Sequence, residues 1–392
     1  MTSHRRRPAF VAAFVCLLAA GATAAAAETT TKGFRRAFPS AAGRPLRLAN
    51  LAGRIELVPI KGREVVVETT VHAEGRDAAE TRKLLDGMQW VKEHDKKGRE
   101  EWVLTYPVDD YDGFAYPRSG HELKIFGIDF GHTSTTYRGE RVRIYSSRRS
   151  SAPVLYANLR IGMPQDGHLA VRNVVGGVRG GSLQGNLVVD TGSGDVQLAA
   201  FAGALVVDTG SGDVTLGGTR GETTVDTGSG DVTVQQWVGN GSVDTGSGDV
   251  SIAQVKAGRL SVDTGSGDVI VRGGAVATLS ADTGSGSIRV LDVELEDLVA
   301  DTGSGDVTVE SSLAQARSIH VDTGSGDVRV LAGPAASFEM TADQGSGEVH
   351  VGYGDAELRK DGRKVVGARR GDGRTKIRCE TGSGDCSIGP KG

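Results

Sequence analysis

The sequence predicts an all-β chain wound as a single-chain β-solenoid (β-helix) with coils of about 18–21 residues, carrying a small α+β cap and insertion at its amino-terminal side. Three observations predict it. First, some version of D-T-G-S-G-D-V occurs ten times, with its leading acidic residue at Asp190, Asp208, Asp226, Asp244, Asp263, Asp282, Asp301, Asp322, Asp343 and Glu380. The steps are 18, 18, 18, 19, 19, 19, 21, 21 and 37 residues, and a fixed period near 20 marks repeats that stack on one another. Second, apolar residues alternate on both sides of the motif, as Leu187 and Val189 do before it and Val196 and Leu198 after it. Period two is the mark of a half-buried strand. Third, the 392 residues include 58 glycines and only 5% aromatics, too few large side chains to fill a globular core.

Taken in order, the chain opens with Arg5, Arg6 and Arg7 and an apolar, alanine-rich run from Ala9 to Ala27. A basic start, an apolar run and a small-residue end read as a secretory signal peptide over residues 1–27, cut after Ala27 or, as the alternative, Ala24. An uncleaved anchor is the competing reading. Cys16 lies inside the run without a lipoprotein cleavage box. Past this leader no segment is long and apolar enough to span a membrane, so the expectation is an exported protein of the periplasm, cell surface or extracellular space. A net charge of −4 offers nothing to nucleic acid.

Residues 28–160 read as an opening coil with a helix and an insertion. "DAAETRKLLDGMQW" is the helix, with Asp77 as its N-cap, and strands follow around Gln89–Glu93 and Glu101–Tyr106. Between 106 and 150 the repeat is absent. That stretch holds Tyr111, Phe114, Tyr116, Phe126, Phe130, Tyr137 and Tyr145, with Arg138, Arg141, Arg143, Arg148 and Arg149. It is either a hydrophobic cap on the first coil or a surface for an unidentified envelope, surface or glycan partner, because aromatic and Arg side chains dominate binding hot spots. His121, Asp129 and His132 fit no strong metal pattern.

Residues 161–392 are the repeat array. The inward column Val189, Val207, Val225, Val243 and Val262 continues to Cys379, and Val196, Val214, Val232, Val250 and Val269 continue to Cys386. Each coil reads as strand, T-G-S-G turn, strand and variable return. A lone coil loses more backbone entropy than its few inward aliphatics return, so stacking is required. The last 37-residue step suggests one coil without the motif.

D-T-G-S also surrounds each catalytic aspartate of an aspartic protease. Those enzymes need two aspartates sharing a proton, whereas ten equivalent copies one coil apart have no unique partner. The motif is therefore read as a structural turn with no catalytic residues. Gly192 and Gly194 would supply positive φ, Asp190 and Thr191 would bond nearby backbone amides, and Asp195 completes the same structural turn. Stacked carboxylates 4.8 Å apart repel by roughly 0.9 kcal/mol per pair even in bulk water. Amide hydrogen bonds or weakly bound Ca²⁺ would offset this, though the spacing does not match the nine-residue calcium β-roll repeat. No other cofactor is expected. Cys379 and Cys386 flank the last turn as a disulfide candidate, the alternative being two buried thiols.

With its repeats and with "LRLANLAGRIELVPIKGREVVVE", "NLRIGMPQDGHLAVRNVVGGV" and "TKIRCETGSGDCSIG" as opening, re-entry and closing coils, the chain resembles the bacterial adhesin-like family, domain of unknown function 4097. The resemblance implies a β-solenoid, an envelope location and no catalytic residues. The chain departs from the family pattern in the regularity of its motif and in the 106–150 insertion. Two functions follow as expectations: a non-enzymatic adhesin-like, interaction or scaffolding protein, or a carbohydrate-binding or polysaccharide-cleaving β-helix.

Overall fold

A computed structural model describes residues 29–39, 43–95, 97–116, 132–146 and 151–391. The leader read at 1–27 and part of the insertion, including His121, Phe126, Asp129, Phe130, Arg148 and Arg149, lie outside them. The described chain is all-β with one α-helix, Ala78–Asp86. The described residues form two compact units, divided between Gly194 and Asp195. The strands Gly167–Val175 and Val178–Ser193, which the sequence places in the repeat array, belong to the first unit.

In the first unit, Leu46–Ala52, Gly167–Val175 and the second half of Val178–Ser193 stack in parallel. This aligns Ala49, Arg172 and Asp190 in one column and Asn50, Asn173 and Thr191 in the next. Asn50 and Asn173 are buried where a repeat has its threonine, and Asn50 Nδ2 donates to Asn173 Oδ1 at 3.0 Å. A second layer has Val154–Pro164 lying between Ile55–Ile60 (parallel) and Glu64–Glu74 (antiparallel), and Thr30–Pro39 pairs with the outer edge of the latter. Asp77 caps the helix by accepting from Glu80 N at 2.8 Å, and Leu84 and Leu85 are buried. The strands expected after it are Trp90–His94 and Glu100–Leu104.

The second unit is the repeat ladder. Its leading acidic residues pair in register and in parallel from Asp208 through Asp226, Asp244, Asp263, Asp282 and Asp301 to Asp322. Valines on either side point inward and are buried, for example Val225, Val232, Val243 and Val250. Each side chain thus meets its own kind one strand spacing away, the arrangement β-branched residues pack best. The return is not a plain loop. Phe201, Thr219, Trp237, Val255, Gly274 and Val293 form a third paired column, with Trp237 fully buried.

The carboxyl end departs from sequence order. No motif-free coil fills the 37-residue step. Phe338–Gln344 is followed by an antiparallel hairpin, Glu357–Asp361 with Lys364–Arg370, whose second strand pairs with Phe338–Thr341. The chain then returns, and Thr375–Thr381 inserts between Ser318–Thr323 and Phe338–Gln344, both parallel to it. The column runs Asp322, Glu380, Asp343. The last coil in sequence is therefore the last but one in space, and the hairpin, fully exposed over Glu357–Asp361, covers the edge beyond it. Charged residues on such an edge oppose pairing with further strands.

Candidate functional site

The motif turn is the most repeated chemical feature of the chain, and its residues divide by direction. The threonine points inward. Thr227, Thr245, Thr264, Thr283, Thr302, Thr323 and Thr381 are all buried. Each Oγ accepts from the glycine amide three residues on, as Gly267 N does to Thr264 at 3.1 Å. Each also donates to a glycine carbonyl of the preceding rung, as Thr264 does to Gly248 O at 2.9 Å. One hydroxyl thus ties its own turn and its neighbour's.

The glycines serve a purpose other than the one expected. Gly192 and Gly194 do not lie in the left-handed region, nor do their counterparts in later rungs. What excludes a side chain is the rung beneath. A Cβ on Gly194 would sit 2.4 Å from Gly176 O, and one on Gly248 or Gly267 would sit 1.9 Å from the carbonyl oxygen below.

The two aspartates also differ. The second one bonds an amide, but across rungs rather than within its own turn. Asp195 Oδ1 accepts from Asp213 N at 3.2 Å, and the pattern continues through Asp213, Asp231, Asp249 and Asp268 at 2.8–3.0 Å. Each carboxylate is thereby anchored on the next coil. Ser287 interrupts the row, and there Arg289 reaches back to Asp268 at 3.1 Å. The first aspartates, exposed from Asp208 to Asp301, have no such amide partner among the described residues.

Partial loss of hydration beside the neighbouring rungs first, then the charges of Asp208 and Asp244, push the exposed Asp226 carboxyl up from its ordinary range; Asp282 is raised in the same way, its neighbours being Asp263 and Asp301. A raised carboxyl holds its proton more tightly folded than unfolded. Folding stability therefore falls as pH rises from the unfolded value near 4 through the raised one. Asp282→Asn is expected to stabilise the unit at neutral pH by about 0.5 kcal/mol at low salt, after discounting for solvent screening. Denaturation of both proteins across pH checks this: the gain should vanish below about pH 4 and shrink in 1 M salt.

Among the described residues no group of three His, Cys, Asp or Glu side chains is placed to hold a metal ion. On the return side a groove of ≈ 540 Å³ has Val238, Ala257, Ala275 and Leu295 on its lining. The carboxylates beside it are engaged, Glu294 by Ser312 at 2.6 Å and Glu296 by Arg317 at 3.2 Å.

Four of the described aromatics of the 106–150 stretch face the interior of the first unit, while Tyr111 and Tyr145 are half-buried. Tyr106, Phe114, Tyr116 and Tyr137 are buried, and the Tyr106 ring lies 5.8 Å from those of Phe114 and Tyr137. Tyr106 Oη donates to Asn50 Oδ1 at 2.9 Å, closing the cap onto the Asn ladder. Of the arginines, Arg138 pairs with Glu93 at 2.6 Å, while Arg141 and Arg143 are exposed.

Cys379 and Cys386 are joined by a disulfide with Cα atoms 6.4 Å apart, in the inserted coil and not at the free end of the stack. Closing so short a loop stabilises by about 2.5 kcal/mol on the chain-entropy argument. Reduction is expected to lower stability by that amount, read as a shift in the urea midpoint with and without reductant.

Residues 221–389 match the family described as Toastrack DUF4097. No curated protein matches the chain. Among solved structures, a candidate cell adhesion protein from Clostridium sporogenes is 9% identical, with 92% of this chain and 100% of that one covered and a TM-score of 0.18. A candidate lipid-binding protein from Parabacteroides distasonis is 12% identical, covering 91% and 96%, with a TM-score of 0.32.

Proposed function

We propose, with the Toastrack match over residues 221–389 as premise, that the chain is an exported, non-enzymatic β-solenoid. Its repeat unit presents a surface of equivalent rungs for adhesion, envelope interaction or scaffolding. The observation that carries this reading is the equivalence of the rungs. From Asp208 to Asp322 each leading aspartate stands in register with the leading aspartate of the next rung. Catalysis needs the opposite, titratable groups whose surroundings set them apart.

The D-T-G-S-G-D turns are then mechanical parts: Thr binds rung to rung, Gly permits contact, and the second Asp satisfies the next amide. The buried rings of the 106–116 and 132–145 segments support a cap role for the described part of the insertion. The exposed Arg141 and Arg143 are the part left to meet a partner.

Binding and hydrolysis on one glycan array, beside a pull-down from envelope extracts, test the reading. Retention of an envelope component without turnover of any glycan is expected. Turnover abolished by a single carboxylate substitution would replace the proposal with a polysaccharide-cleaving enzyme.

A further inference from the structure

The terminal coil, residues 375–391, is a wedge between two rungs that the chain completes before it. The coils it separates are joined directly by five residues, Gly333–Ser337, between the strands Val328–Ala332 and Phe338–Gln344. Their motifs stand 21 residues apart, at Asp322 and Asp343, the same step that separates Asp301 from the directly stacked Asp322. Nothing in the spacing reserves a gap.

The slot is nonetheless chemically specific. On one wall Thr375 Oγ1 donates to Ala316 O at 2.8 Å, Thr381 Oγ1 to Gly326 O at 3.1 Å, and Asp385 N to Asp327 Oδ1 at 2.9 Å. On the other, Glu348 N donates to Asp385 Oδ1 at 2.8 Å and Lys376 Nζ to Glu339 Oε2 at 2.6 Å. Lys391 pairs with Asp292 and Glu310 beyond the strand's end. The wedge carries its own shape, since the Cys379–Cys386 bridge fixes its corner whether or not the slot is occupied. It is tethered through Gly371 and Gly373, both at positive φ (63° and 70°), a linker that turns sharply without strain.

We propose that this slot is a strand-exchange site whose second occupant is the terminal coil of another copy of this chain. All contacts named above are between backbone or side chains of residues present in every copy, so a foreign wedge satisfies them as fully as the chain's own. The tether favours the chain's own wedge through an effective concentration on the order of millimolar. Exchange therefore grows with protein concentration during folding, when the slot stands open. Such swapping links copies without any new interface chemistry.

Full-length single variants test it. Ser318, Lys376 and Glu339 stand side by side on successive strands, one strand spacing of about 4.8 Å apart. Ser318→Cys and Lys376→Cys proteins are unfolded together without reductant, refolded at rising concentration and oxidised. A mixture of Ser318→Cys with Glu339→Cys serves as control, because both residues stay in the slot walls of their own copy when only the terminal coil is exchanged. The expected result is a covalent heterodimer at least fivefold above the control and increasing with concentration. The double variant Ser318→Cys/Lys376→Cys should close within one chain at low concentration, which verifies the geometry. A heterodimer yield equal to the control, with the double variant closing normally, overturns the exchange. Failure of the double variant to close while circular dichroism shows a folded chain overturns the wedge itself.

Discussion

Gly248→Ala is expected to destabilise the repeat unit by about 4 kcal/mol, near the upper end for single substitutions. The added methyl would lie 1.9 Å from Gly230 O and 2.5 Å from its carbon, both backbone atoms of the rung beneath. No rotamer change relieves that contact, so the ladder must part locally. Ser247→Ala, one residue away and exposed, is the matched control and should stay within about 0.5 kcal/mol. Urea denaturation of the three proteins makes the comparison. A cost at Gly248 no larger than at Ser247 would show that the turns are not stacked backbone to backbone.

Thr264→Val should cost about 3 kcal/mol for a different reason. Valine keeps the volume and fits the inward position, so packing changes little. What disappears is one hydroxyl that accepts from Gly267 N and donates to Gly248 O, both inside the turn stack. Two backbone groups lose their partners where water does not reach, at about 1–3 kcal/mol each. Hydrogen exchange reads the effect at its source: the Gly267 amide should lose protection in the variant while amides several rungs away keep theirs. Thr264→Ser, which retains the hydroxyl, should restore most of the loss. If valine and serine behave alike, the hydroxyl is not the tie between rungs.

Much of this was legible in the letters alone. The inward valine columns, the period and the helix capped by Asp77 follow from spacing and alternation, which are local properties. The direction of the threonine was not, because Asp and Thr both bond turn amides in isolated turns; only stacking shows that Thr264 reaches the rung below. The glycines mislead for a related reason. Tight corners and close backbone approach both select glycine, and the sequence does not tell them apart. Trp237 in the return could have been noticed as a large apolar residue among short polar ones, a sign that the return also faces the core.

The position of the terminal coil was beyond reach for the deepest reason. Repeats with one shared motif are interchangeable partners, so the pattern that identifies the array carries no information on the order of its members. The groups that do settle it, Thr375 on Ala316 and the hairpin strand Lys364–Arg370 on Phe338–Thr341, lie outside the motif.

Cysteine pairs on the outward column beside the aspartates probe the stacking most directly. Thr224 stands opposite Ser242, and Ser242 opposite Ser261. Oxidised at low concentration, Thr224→Cys/Ser242→Cys should form an intramolecular bond readily, since one strand spacing of about 4.8 Å lies within disulfide reach. Thr224→Cys/Ser261→Cys, at about twice that distance, should stay reduced. Equal bonding of both pairs, or of neither in a folded chain, would contradict an array in which each motif lies directly on the one before it.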